Sequence, residues 1–105
     1  MAWFYLLVAG ILEIVWAYTM KQSLGFSRLI PSLITVSTMV ASFWLLALAM
    51  QTIPLGTAYA IWTGIGAVGA FIVGIVFLAE PVSALRLVAI TLIVSGLVLL
   101  KVSSD

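Results

Sequence analysis

Four apolar stretches, each near the length that crosses a bilayer, fill almost all of this 105-residue chain and leave only short polar joints between them. A hydrocarbon core of about 30 Å takes about 20 helical residues at about 1.5 Å rise per residue. Blocks of that length, bounded by charge, Pro or Gly, fall at roughly 3–20, 29–50, 57–79 and 84–101. With 66% apolar and 7% charged residues, the apolar side chains run in continuous blocks, not in the stripes that a water-soluble helix shows. The expectation is an all-α membrane protein, one four-helix transmembrane domain over residues 1–105. The start, Met1-Ala2-Trp3-Phe4-Tyr5, has no basic segment ahead of the apolar run and reads as a retained first span.

The joints carry the turn chemistry. Lys21 to Arg28 includes two cations and Gly25, and Pro31 suits the first turn of the second helix, where its missing N–H costs nothing. Gln51 to Gly56 separates the second and third helices; Glu80-Pro81-Val82-Ser83 separates the third and fourth, with Ser83 or Glu80 as candidate N-cap. Joints this short predict antiparallel neighbours, an up-down unit with both termini on one side of the membrane. Lys21, Arg28 and Arg86 then face one side and Lys101 with the terminal amine the other, a weak orientation bias. Weak bias allows identical chains to insert both ways and pair head to tail. Four helices are few for a pathway that alternates its access, and transporters commonly build one from two inverted repeats. This chain shows no internal repeat; a second, inverted copy would supply the missing half, and the expectation is an antiparallel, dual-topology homodimer.

The charge inventory narrows the function classes. A net charge of +1 with no basic patch argues against a nucleic-acid partner. The absence of Cys and His removes disulfides, thiol nucleophiles and the usual zinc sites. No phosphate-binding or cofactor motif is present, and no nucleophile–base pair can be assembled, so an enzyme is the least supported class and no cofactor or metal is expected.

Glu13 is the single carboxylate within the four apolar stretches, in the run Ala9-Gly10-Ile11-Leu12-Glu13-Ile14-Val15-Trp16-Ala17. Holding a charged side chain near mid-membrane costs about 2.5 to 3.5 kcal/mol on insertion scales, which marks it as functional. Gly10, Glu13 and Ala17 share a helix face, with Trp16 one turn from the acid. The second helix offers Thr35, Thr38 and Ser42 at helical spacing, with Met39 and Phe43 alongside; the third offers Tyr59 and Trp62, with Thr63 adjacent. Convergence of these faces would make a cup with one anion, several hydroxyls and aromatic walls, suited to a cation. Each neighbour has an ordinary structural reading: hydroxyls such as Thr35 and Thr38 bond their own backbone or join helices, and Trp3 and Trp44 sit in the interfacial belt. Gly64, Gly66 and Gly69 serve close packing or a kink that rocks between two states, and Ser95-Gly96 marks a helix contact. A carboxylate in such a cup takes a proton or a cation, and that competition is the minimum physics of an antiporter.

Gly10-Ile11-Leu12-Glu13-Ile14-Val15-Trp16-Ala17, Gly25-Phe26-Ser27-Arg28-Leu29-Ile30-Pro31-Ser32 and the run from Pro54 through Tyr59-Ala60-Ile61-Trp62 to Ala67 together resemble the small multidrug resistance transporters. Within that family they resemble the SugE-like guanidinium exporters. The resemblance implies an antiparallel homodimer in the bacterial inner membrane that exports guanidinium or a related organic cation against protons. It implies that Glu13 from both subunits binds substrate and protons in turn, with Trp16, Ser42, Tyr59 and Trp62 lining the site. Met39 and Phe43 fall where relatives have a lipid-facing side opening, and Lys101 matches the subtype. Tyr18 and the Phe43-Trp44 pair are less typical and bear on selectivity. Broad export of quaternary ammonium ions is the alternative within the family, and a small membrane regulator that carries nothing is the alternative outside it. A passive channel is less favoured, because one acid among large aromatics makes a cup more readily than a continuous pore.

Overall fold

The helices begin and end where backbone chemistry changes. The computed structural model describes residues 1–104 and contains α1 (Ala2–Gln22), α2 (Leu29–Ala49), α3 (Leu55–Leu78) and α4 (Ala84–Ser104). All four are long and apolar enough to cross a membrane, and no strand occurs among the described residues. The chain belongs in a bilayer as a multi-pass protein.

Helix α1 runs two residues past Met20, because Lys21 and Gln22 continue it and the break comes at Leu24, Gly25 and Phe26, all with positive φ. Ser23 closes that joint: its hydroxyl donates to the Met20 carbonyl at 2.7 Å and accepts from the Phe26 N–H at 3.0 Å. Helix α3 starts at Leu55, directly after Pro54, whose carbonyl accepts the Ala58 N–H at 2.9 Å. It ends with Ala79 in the left-handed region at φ 55°. Of the two candidate caps for α4, Ser83 fills the role, its hydroxyl accepting the Arg86 N–H at 3.2 Å. Glu80 turns the other way and lays its carboxylate over Gly74 of α3.

Helix α1 is the middle of the arrangement, packed along both α2 and α3, while α2 and α3 meet only narrowly and α4 lies on α3. The result is a slab with Cα extents of 42 × 35 × 16 Å and a radius of gyration of 14.5 Å, wider than the roughly 13 Å of a compact chain this long. The buried apolar core, with Leu6, Leu46, Ala49, Ala58, Ile61 and Trp62, gathers at the end where α1 starts, α2 finishes and α3 starts. That location is what antiparallel neighbours produce.

Lipid-like interiors give helices little hydrophobic reason to associate, so close approach over small residues does the work. Gly10 lies against Ile65, Gly69 against Ile14, and Gly64 against Leu97 of α4. Among the described residues α4 has no buried side chain. Its ends are held by cation–ring contacts: Arg86 stands 5.0 Å from the Phe71 ring centre and Lys101 4.6 Å from that of Trp3. The expected Ser95-Gly96 helix contact is not made within the chain, since nothing lies within 4 Å of where a Gly96 side chain would begin.

Valine at Gly69 would collide with Ile14 and push α1 from α3. Unfolding in mixed detergent micelles is expected to show a loss of about 1–3 kcal/mol for Gly69→Val, while Gly56→Ala, which meets open space, shows no comparable loss.

Candidate cation site around Glu13

Helix α1 carries Glu13 to the middle of its length and half-buries it against α3. The space for the carboxylate comes from α3: a methyl group at Gly66 would collide with the Glu13 carboxyl. The acid therefore lies on bare α3 backbone. Its Oε1 is buried and has no hydrogen-bond partner in the chain, and one turn along α1 the buried Nε1 of Trp16 has none either. Buried polar atoms are nearly always paired, so an orphaned acceptor and an orphaned donor three residues apart call for an explanation. Among the described residues no other buried side-chain nitrogen or oxygen lacks a partner.

Beside this pair stands a fully satisfied one. The Ser42 hydroxyl, 0% exposed, donates to the Ala9 carbonyl at 2.7 Å and accepts the Trp62 indole N–H at 3.0 Å. Ser42 thus joins α1, α2 and α3 at one point and fixes the plane of Trp62. The Ala9 carbonyl accepts this bond on its second lone pair, beyond its place in the α1 ladder, and is reachable because Ala9 is small and fully buried. From Trp62 an aromatic wall extends: Phe43 at 5.6 Å between ring centres, Tyr59 at 5.7 Å, and from Phe43 on to Trp16 at 6.3 Å. Phe43 meets Trp62 and Trp16 edge to face, and Tyr59 is tilted on Trp62; rings at these distances hold one another in orientation.

The structure brings Trp16, Ser42, Phe43, Tyr59 and Trp62 into one cluster next to Glu13, but it does not bring in the whole hydroxyl stripe. Thr38 bonds back to the carbonyls of Ile34 and Thr35. Thr35, fully buried, pairs at 2.7 Å with Thr19 of α1 and donates to the Pro31 carbonyl. The stripe spans seven residues, about 10 Å of helix, too far for all three hydroxyls to reach one carboxylate. Phe43 is 47% exposed and also belongs to the aromatic wall, so it lines the cluster and reaches the outer surface of the chain at once. Met39 is half-buried one turn before it. Gly64 and Gly69 act in packing, whereas Gly66 meets the acid itself, a partnership that needs two helices in register and that sequence spacing alone does not display. The one signal for it was a glycine inside an otherwise apolar helix.

The family model for the Small Multidrug Resistance protein matches residues 1–93. This chain belongs to the small multidrug resistance family. It is 58% identical over 104 residues to the guanidinium exporter of Salmonella typhimurium, 56% to that of Escherichia coli K12 and 54% to that of Citrobacter freundii, in each case covering 99% of both chains. The cluster thus places a carboxyl oxygen without a partner, an indole N–H without a partner and several ring faces close together.

Ser42→Ala would leave the Trp62 N–H buried without a partner, at a cost of about 1–3 kcal/mol, while the Ala9 carbonyl keeps its place in the α1 ladder. The same micelle unfolding measurement is expected to show that loss, and the indole N–H resonance of Trp62 in an ¹⁵N–¹H spectrum is expected to shift.

Proposed function

We propose that this protein exports guanidinium cations across the bacterial inner membrane in exchange for protons, working as an antiparallel homodimer with both Glu13 carboxylates in one site. The observation that carries the reading is the orphaned Glu13 Oε1 beside an aromatic wall whose Trp62 is already locked by Ser42. Relatives 54–58% identical over their whole length carry the name guanidinium exporter, which favours this cation class.

Guanidinium is flat and rimmed with N–H donors, the geometry of the Arg fork that pairs with carboxylates. Glu13 accepts those donors and the ring faces of Trp16 and Trp62 cover the plane. Ser42 has its proton committed to Ala9 and one lone pair to Trp62, so its role is to position the indole. Gly66 allows the carboxylate to sit against α3 or swing away from it without a side chain in the path. A proton arriving at the carboxylate removes the charge that holds the cation, and a cation arriving displaces the proton. Turnover follows if the site opens to one side at a time and changes sides only when occupied.

The dimer rests on shape. A slab 16 Å thin does not enclose a site, and α4 keeps an unburied surface with open space at Gly96. A second copy turned over in the membrane brings the two Glu13 faces together and couples their titrations. Half-exposed Phe43 beside Met39 favours one extension of the substrate range: an alkyl substituent on the guanidinium leaves the cluster toward lipid there.

The test is guanidinium-driven proton movement in proteoliposomes. Wild-type protein is expected to give flux, Glu13→Gln none, and Gly66→Ala a reduction of about tenfold or more, because the added methyl takes the carboxylate's place. Flux with tetraalkylammonium ions exceeding that with guanidinium would turn the reading to a drug pump, unitary currents would turn it to a channel, and absence of flux with both ions would turn it to a regulator.

A further inference from the structure

The face of α1 and α3 turned away from Glu13 carries a groove of its own. At about 100° per residue, Ile14, Tyr18 and Val15 point about 100°, 140° and 200° away from the acid, so this groove is separate from the cation site. Its inner part, a cavity of about 240 Å³, is walled by Val15, Tyr18, Val73 and Phe77, with the Tyr18 and Phe77 rings 6.2 Å apart. It continues, through the shared walls of Ile14, Tyr18 and Val73, into a cavity of about 180 Å³ that reaches Lys21 on one side and Glu80 on the other. Both charges stand where α1 and α3 end, at the level of the membrane surface.

The placement of Glu80 is built. A carboxylate at a helix C-terminus faces the unfavourable end of the helix dipole. Here the left-handed Ala79 turns the chain back, the Glu80 N–H donates to the Gly74 carbonyl at 3.0 Å, and the bare Gly74 leaves room for the carboxylate over the groove. Arg86, the other charge beside it, stands 3.7 Å from Oε1 and is itself spread over Phe71 and the Pro81 carbonyl. An apolar trough that ends between one cation and one anion matches a lipid whose headgroup carries both signs.

We propose that this groove binds one phospholipid with a primary-ammonium headgroup: phosphate on Lys21, ammonium on Glu80, and an acyl chain between Tyr18 and Phe77. The commitment to an N–H-bearing head follows from Glu80, which accepts hydrogen bonds that a trimethylated ammonium does not have to give. A purely anionic head can still meet Lys21, but it brings Glu80 no N–H donor and leaves the carboxylate with Arg86 alone. The site is independent of what the cation cluster transports.

The full-length protein, in the oligomer that purification yields, is reconstituted in nanodiscs with equal amounts of phosphatidylethanolamine, phosphatidylcholine and phosphatidylglycerol. Lipids retained on transfer to detergent are then counted by native mass spectrometry. Expected is retention of the ethanolamine lipid over each of the others by roughly fivefold, with Glu80→Gln erasing the preference over the choline lipid and Lys21→Gln lowering retention of all three. Equal retention of the three lipids by the wild-type protein, or preferred retention of the glycerol lipid, overturns the proposal without any variant having to fold.

Discussion

A carboxylate resting on bare backbone is the contact around which this molecule is arranged. Glu13 can sit at mid-membrane only because Gly66 presents no side chain there, and that contact requires α1 and α3 to run in close register. Gly10 against Ile65 and Gly69 against Ile14, on either side of it, supply the register. The same small residues that let the helices approach also leave the acid partly desolvated. In a medium where burial of grease provides little attraction between helices, helix packing and the seating of the acid therefore draw on one set of glycines.

Ser42 performs the complementary task. The narrow meeting of α2 and α3 leaves few contacts to hold the third wall of the cluster, and one hydroxyl spans the gap by donating to α1 and accepting from α3. Its two bonds leave Trp62 with no freedom to turn its N–H toward a ligand, whereas Trp16 keeps its N–H unassigned. Two tryptophans in one wall thus differ: the N–H of Trp62 is bonded and that of Trp16 is not.

The spans were legible because bilayer thickness imposes a length that composition makes visible, and Glu13 was legible because an acid in such a run has no structural excuse. The cluster members Trp16, Tyr59 and Trp62 stood at helical spacing and could be grouped by face. What the sequence did not display depends on pairing between helices. Thr19 belongs to no stripe on α1, yet it takes Thr35 out of the site by bonding to it. The Ala9 carbonyl that orders Ser42 is a backbone atom, which no residue type announces. Ser83 and Glu80 were equal as caps on residue chemistry, and the left-handed turn at Ala79 decides between them by sending Glu80 back along α3. Ser95-Gly96 has the composition of a contact but faces open space within its own chain.

The two cations that pin α4 also set a thickness. Arg86 and Lys101 are fifteen residues apart, which is about 22 Å along a helix, against a hydrocarbon layer of about 30 Å. Each charge must reach outward by about 4 Å to find headgroups, and Arg86 does lean outward, donating to the Pro81 carbonyl at 2.9 Å as a snorkelling side chain should. Lys101 reaches the ring of Trp3, a residue suited to the interface. Any axial slide of α4 would draw one of the two charges into hydrocarbon, so the charged ends oppose a piston motion. The charged ends and the seating of Leu97 on Gly64 together hold its height in the membrane.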